Sequence, residues 1–431
     1  MKRLVVALAI AGGAYLALHG FGACATDDHG AATPVDAGTE HQPYETGSDA
    51  PKDVASEYEI PPWDPVWHKT TPATFEVVPP GPRLKVACGA RCTVISSVEP
   101  EGIASRRPRA NDDWVVFQVA PGRIHAIDRN TGVEHLVDDG SEWPTGKGAG
   151  GGPSLFGARA FYAVGLEGRS VMVVRDLLTG ETKQVWTAEK TTGGGTSTTA
   201  CAAPYLFWSQ GPPDRFYRFN MNTGELKSVD GGGEFIMEGS STGFATAAGE
   251  GWIDVIDFDK GQRTALGKDG QGAVLGGISP DGKQAAWIDL RHPGPNGEKS
   301  TWLEPLAGGE AYLYDVASKA ETRLTFDSPA NPSFKTMARV VGDTVVWHSW
   351  SGGQPRLPTS GLAFEGMSAV WFVKAGGAPT PLRDPADLFG WAQPVSSGVV
   401  ALSVHELEGG FNEALLVHVA WPPEADGGDG G

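Results

Sequence analysis

The chain has 431 residues, a formal net charge of −18, 60 Gly and 32 Pro. Gly and Pro fill roughly a fifth of the positions against about 12% in average usage, which excludes a helical bundle or coiled coil. Glycine without a period of three excludes collagen, and the acidic balance excludes a nucleic-acid partner. Hydrophobic residues at 40%, with 14 Trp and 17 Phe, supply a core and exclude global disorder.

Lys2 and Arg3 precede an apolar run from Leu4 to Leu18, followed by small residues. That order is a secretory signal, and the run is short for a membrane span of about 20 residues. Phe21-Gly22-Ala23-Cys24 resembles a bacterial lipobox, with Phe21 where that family carries an aliphatic residue. The resemblance implies lipidation of Cys24, and Ala25 after it is compatible with sorting to an outer membrane. Ala23-Cys24-Ala25 also fits the small-x-small rule of ordinary signal peptidase, so cleavage after Ala25 is the alternative. Residues 25–60 hold nine acids and one base, with large aliphatic residues nearly absent. Such a segment does not repay its ordering entropy and is expected to be a disordered tether. A Pro-rich entry segment occupies 61–82, the folded body 83–421, and a disordered acidic tail 422–431. Leader, tether and tail carry +2, −8 and −3, so half of the acidity belongs to the ends.

The four cysteines are Cys24, Cys88, Cys92 and Cys201. Cys88 and Cys92 flank a short turn and are expected to form a local disulfide in an oxidising compartment. Zinc is disfavoured because no second ligand pair follows at a usable spacing. Cys201, within Thr-Ala-Cys-Ala-Ala, is expected to be buried and unreactive.

From residue 100 onward one module recurs. A marked strand opens seven units: Trp114–Val119, Ala160–Val164, Tyr205–Ser209, Phe244–Ala248, Gln284–Asp289, Thr344–Trp350 and Val399–Val404. Most follow a short polar or small-residue turn. Downstream, Asp128–Gly132, Asp176–Gly180, Asn220–Gly224 and Asp257–Gly261 read as turns in which Gly supplies a positive φ between two strands. The period matches a propeller blade of about 40–50 residues. The predicted fold is all-β: a seven-bladed β-propeller of four-stranded antiparallel blades. Its last unit lacks an outer strand, while Thr93–Val98, preceded by the strand-like Arg83–Ala87, is an orphan near the front. Pairing Thr93–Val98 with the last unit closes the ring and leaves no long edge. An eight-bladed ring using residues 70–100 stays open.

Leu275–Trp287 contains Ser279-Pro280-Asp281-Gly282 and resembles the Ser-Pro-Asp-Gly repeat of TolB-like propellers. In that family this turn joins the innermost strand to the next. One unit carries the full motif; the others keep the spacing alone.

With strands A to D counted outward from the axis, A–B and C–D turns lie on one face and the longer connections on the other. Long loops on a rigid scaffold concentrate function. Arg291, His292, Lys299, Trp302, Trp350 and Arg356, on or beside the long connections, are therefore the candidate partner-binding residues, as aromatic and Arg side chains anchor interfaces. His405-Glu406-Leu-Glu408 lacks the second His of a zinc helix, His348 and His418 read as core residues, and Gly146–Gly152 lacks a phosphate-loop order and reads as a linker. No metal, cofactor or catalytic residue is assigned.

The sequence points to an exported, lipid-anchored, monomeric TolB-like propeller. It is read as a non-enzymatic binding or scaffolding module of the cell envelope, facing the periplasm or exterior. Its partner is expected to be an envelope protein or peptidoglycan-associated. The alternative is a carbohydrate-active lyase or hydrolase with its site at the axis.

Overall fold

The computed structural model describes residues 62–422 except 80–89, 99–107, 120–121, 144–148, 167–168, 190–195, 211–214, 232–234, 250–251, 268–272, 290, 292–308, 327–333, 352–366, 375–376, 383–387 and 407–411. Cys24, Cys88, the tether, the acidic tail beyond 422 and Arg83–Ala87 lie outside the described residues.

Seven antiparallel sheets follow one another along the chain. Their innermost strands are Arg109–Ala110, Ala149–Phe156, Thr196–Ala202, Phe235–Gly239, Ala273–Ile278, Phe334–Val341 and Leu388–Val395, which define blades 1 to 7. Each innermost strand touches that of the next blade, and blade 7 touches blade 1, so the circle is complete. The fold is a seven-bladed β-propeller. In the last sheet, Cys92–Val98 pairs with Asn412–Ala420, with Val94 opposite Val417, so a strand from the front of the chain closes the ring as the sequence predicts. Cys92 is disulfide-bonded.

One apolar cluster fills each gap between successive blades. Both faces of a blade are covered, so the second strands read as continuous apolar runs without alternation. In Trp114–Val119, for example, Val115 packs toward blade 7 and Val116 toward blade 2. Trp208, Trp287 and Trp347 are among the largest fully buried side chains, one from each of blades 3, 5 and 6.

The turns follow from their residues. Asp128, Asp176 and Asp257 each accept backbone N–H bonds two residues on, at 2.9, 3.0 and 3.1 Å, in the manner of Asx turns. In the Ser-Pro-Asp-Gly turn, Ser279 Oγ donates to Asp281 at 2.7 Å and accepts from Gln284 N at 3.0 Å. Gly282 has φ +72°, and a Cβ there would sit 1.9 Å from Thr242 Oγ1 of blade 4, so both conformation and neighbour demand glycine.

Two features depart from expectation. The stretch read as a glycine linker at 146–152 enters the inner strand of blade 2, which begins at Ala149. The entry segment also has fixed partners. Trp63 meets Phe219 edge-on with centroids 4.9 Å apart and donates Nε1–H to Met221 O at 2.8 Å. Glu181 accepts the N–H groups of His68 and Lys69, both at 2.7 Å, and Ala73 N–H reaches Leu178 O at 2.7 Å. Lys183 and Arg159 lie over the Trp67 ring, at 4.9 and 4.6 Å from its centroid. Glu76–Val77 then adds a fifth strand to blade 1. Residues 63–78 thus form a strap over the outer turns of blades 3 and 2 and onto the edge of blade 1.

Candidate functional site

The innermost strands place one residue each at an equivalent register. Arg109, Ser154, Ala200, Glu238, Gly277, Arg339 and Gln393 all pair with the third residue of the second strand, opposite Val116, Phe161, Phe207, Thr246, Ala286, Val346 and Val400. In blades 2, 4, 5, 6 and 7 a register shift comes immediately before this position, and in blade 3 one residue earlier. A β-bulge re-aims the side chain that follows it. The result is a ring of seven side-chain positions at the axis.

Six of these positions, all but Gly277, line a cavity of about 360 Å³, together with the ends of the inner strands and A–B turn residues such as Asn111, Asp112, Pro280 and Ser396. The cavity therefore lies toward the short-turn face. The ring stands one residue from the strand end in blades 1, 4 and 5 and two in the others, roughly 3–7 Å deep at about 3.3 Å per residue.

The polar members join across the axis. Glu238 Oε1, from blade 4, accepts hydrogen bonds from Nη1 of both Arg109 and Arg339, from blades 1 and 6. Arg339 Nη1 also donates to Gln393 Oε1 at 2.8 Å, and Arg109 Nη2 to Met237 O at 2.9 Å. Glu238 passes over blade 5 because that blade offers Gly277, where a Cβ would sit 3.0 Å from Glu238 Cγ. Arg339, Gln393 and Arg109 form one cationic arc of adjacent blades. The opposite arc, Ser154 and Ala200 with neighbouring Cys201 and Ala202, is small.

Burial alone pushes the Glu238 carboxyl up, but Arg109 and Arg339 together outweigh it and hold the group below its ordinary 4.5. Burial, with repulsion from Arg109, brings Arg339 down to about 10 despite the attraction of Glu238. Burial pushes the Cys201 thiol up to about 12, against a hydrogen bond with Ser154, so it is no nucleophile at neutral pH. Among the described residues, no three His, Cys, Asp or Glu side chains converge in a metal-holding group.

The sequence-chosen loop residues are not gathered in this site. Arg291 follows the second strand of blade 5, at the end away from the A–B turns. It is ion-paired with Asp289 and with Glu321 at 3.1 Å, and lies 4.6 Å over the Tyr312 ring. The Trp350 backbone is in the second strand of blade 6, opposite Phe334. His292, Lys299, Trp302 and Arg356 lie outside the described residues. His348 is buried, as read, and His418 is half-buried with Nε2 3.1 Å from Ser397 Oγ.

No family model matches the sequence, and no curated protein matches it. Solved structures are similar in fold. A chain of the mitotic checkpoint complex is 10% identical with a TM-score of 0.50, covering 77% of this chain and 96% of that one. TolB from Acinetobacter baumannii is 15% identical with a TM-score of 0.35, covering 71% and 79%. The tricorn protease is 11% identical with a TM-score of 0.28, covering 69% of this chain and 41% of that one. These likenesses concern the propeller fold.

Proposed function

We propose that the chain is an exported, lipid-anchored, non-enzymatic protein-binding module of the cell envelope that receives its partner at the axial cavity on the short-turn face. The leader and the lipobox-like sequence at Cys24 support the address. The observation that carries the binding reading is the state of Glu238. It is the carboxylate of the ring, it bridges two guanidiniums, and it is held ionised. Such a group has no proton to donate at neutral pH and is a weak base, whereas a general acid or base works best with a pKa near the operating pH. A lyase or hydrolase acting on carbohydrate is the second reading, favoured by the convergence of polar groups on the axis.

A photo-crosslinking amino acid placed at Asp112 or Ser396, both exposed at the cavity rim, tests the proposal in living cells, with position 291 as the opposite-face control. A discrete protein adduct from 112 and 396, absent from 291, is expected. Adducts from 291 alone, or none from the rim, would overturn it.

A further inference from the structure

The ring holds two cations against one anion. Asp112, the other acid in the cavity lining, sits at the rim with half its side chain exposed, 3.9 Å from Arg129, and accepts the Ser396 N–H at 3.1 Å. Inside the ring, Arg109 and Arg339 therefore face Glu238 alone. Arg339 is 6% exposed, and its Nε–H is buried without a partner. Buried guanidinium donors in native proteins are normally satisfied, so an orphan beside a cavity calls for an acceptor. The same cavity is lined across from Arg339 by the small side chains of Ser154, Ala200, Cys201 and Ala202, in the blades that follow Arg109.

We propose that the axial ring is a carboxylate-binding site, occupied by a carboxylate group of the protein partner, with Arg109 and Arg339 as its ligands and Glu238 as a built-in competitor that occupies them when the partner is absent. This rests on the binding-module reading and names the chemistry recognised at that site. A carboxylate matches the guanidinium fork, and the resulting charge-assisted bonds are stronger than neutral ones. The incoming group compensates the excess cation of the ring. Glu238 opposes it by occupying Nη1 of both arginines, which keeps affinity for a lone carboxylate modest and makes the rest of the partner's contacts necessary. Two sources carry this group, the partner's C-terminus and an acidic side chain.

Isothermal titration of the purified full-length chain with three capped peptides separates these sources. Ac-Gly-Gly-Gly-OH presents a terminus, Ac-Gly-Glu-Gly-NH2 a side chain, and Ac-Gly-Gln-Gly-NH2 neither. Saturable binding of one or both acids, at least tenfold tighter than the neutral peptide, is expected, and the tighter acid identifies the source. Arg339→Gln and Arg109→Gln should each lose binding by roughly 10-fold or more, as expected for a lost charge-assisted bond. Glu238→Gln should tighten it by about tenfold, because a competitor is removed and net positive charge added. That gain is the discriminating arm, since a merely structural bridge predicts loss or no change. Circular dichroism of each variant shows whether it has folded; if an arginine variant has not, wild type against Glu238→Gln decides.

Equal binding of acid and neutral peptides would overturn the proposal, as would the absence of binding to both wild type and Glu238→Gln. So would chloride or sulfate competing as well as acetate, which would reduce the ring to a general anion site. Rim crosslinks to a protein without carboxylate binding would leave the binding module standing and remove this assignment alone.

Discussion

Glu238→Gln also has a stability consequence that follows from the ring geometry. The wild-type carboxylate joins blade 4 to blades 1 and 6 through two guanidinium bonds. Removing one partner of a buried ion pair costs about 3–5 kcal/mol. The Gln oxygen still accepts, which recovers about 1 kcal/mol as a neutral hydrogen bond. Side-chain exposure of 20% at Glu238 lowers the cost further, so the net loss is about 2–3 kcal/mol. Urea unfolding at pH 7 followed by tryptophan fluorescence measures it. A carboxylate ligand at a hundred times its Kd adds about 2.7 kcal/mol and should restore the variant to near wild type. The sign with pH is also fixed. Because the folded Glu238 pKa is depressed, its contribution is present above the unfolded value near 4.5 and is lost as pH falls through the lower folded value. Wild type and variant should therefore converge in acid. A variant as stable as wild type at pH 7, or one that unfolds earlier and is not rescued by carboxylate, would refute the reasoning.

Three further outcomes are expected. Trp63→Ala removes an edge-on ring pair, one hydrogen bond and partly buried apolar surface, for about 2–4 kcal/mol in all, and should expose the strap to limited proteolysis near residue 70; an unchanged cleavage pattern would count against the strap. Cys201, with its thiol up at about 12, should react with N-ethylmaleimide at pH 8 at least a hundredfold slower than a free thiol of pKa about 8.5, as read by mass spectrometry. Gly277→Ala sets a methyl 3.0 Å from the Glu238 side chain, which can shift, whereas Gly276→Ala drives one to 2.2 Å from the Ala286 carbonyl oxygen. Thermal unfolding should show the second substitution costing more, and the first should weaken the Glu238 bridge to the arginines.

Much of the architecture was legible because a propeller repeats its demands. Second strands buried on both faces spell apolar runs, and turns that need positive φ spell Gly at positions 132, 180, 224 and 261. The closing strand at 92–98 could be inferred because the last unit was one strand short. The strap was not legible. Its 16 central residues, 63–78, form a two-residue strand and otherwise hold by Trp rings, side-chain caps and isolated backbone bonds, which have no period. The axial ring was hidden for another reason. Its seven members, Arg, Ser, Ala, Glu, Gly, Arg and Gln, share a register and no chemistry, and the bulges before them shift the spacing within the inner strands. A usable signal was present in Glu238, the one charged residue of the otherwise apolar strand Phe235–Gly239, and in Arg339, within the apolar end of its strand at 337–341. Loop length drew attention to the opposite face instead.

The most direct test joins the two halves of the account. Cells carrying the crosslinker at Ser396 give an envelope preparation that is irradiated with either the favoured acid peptide or its neutral counterpart in excess. The protein adduct should disappear with the acid and persist with the neutral peptide. An adduct of equal intensity in both would mean that the partner does not engage Arg109 and Arg339.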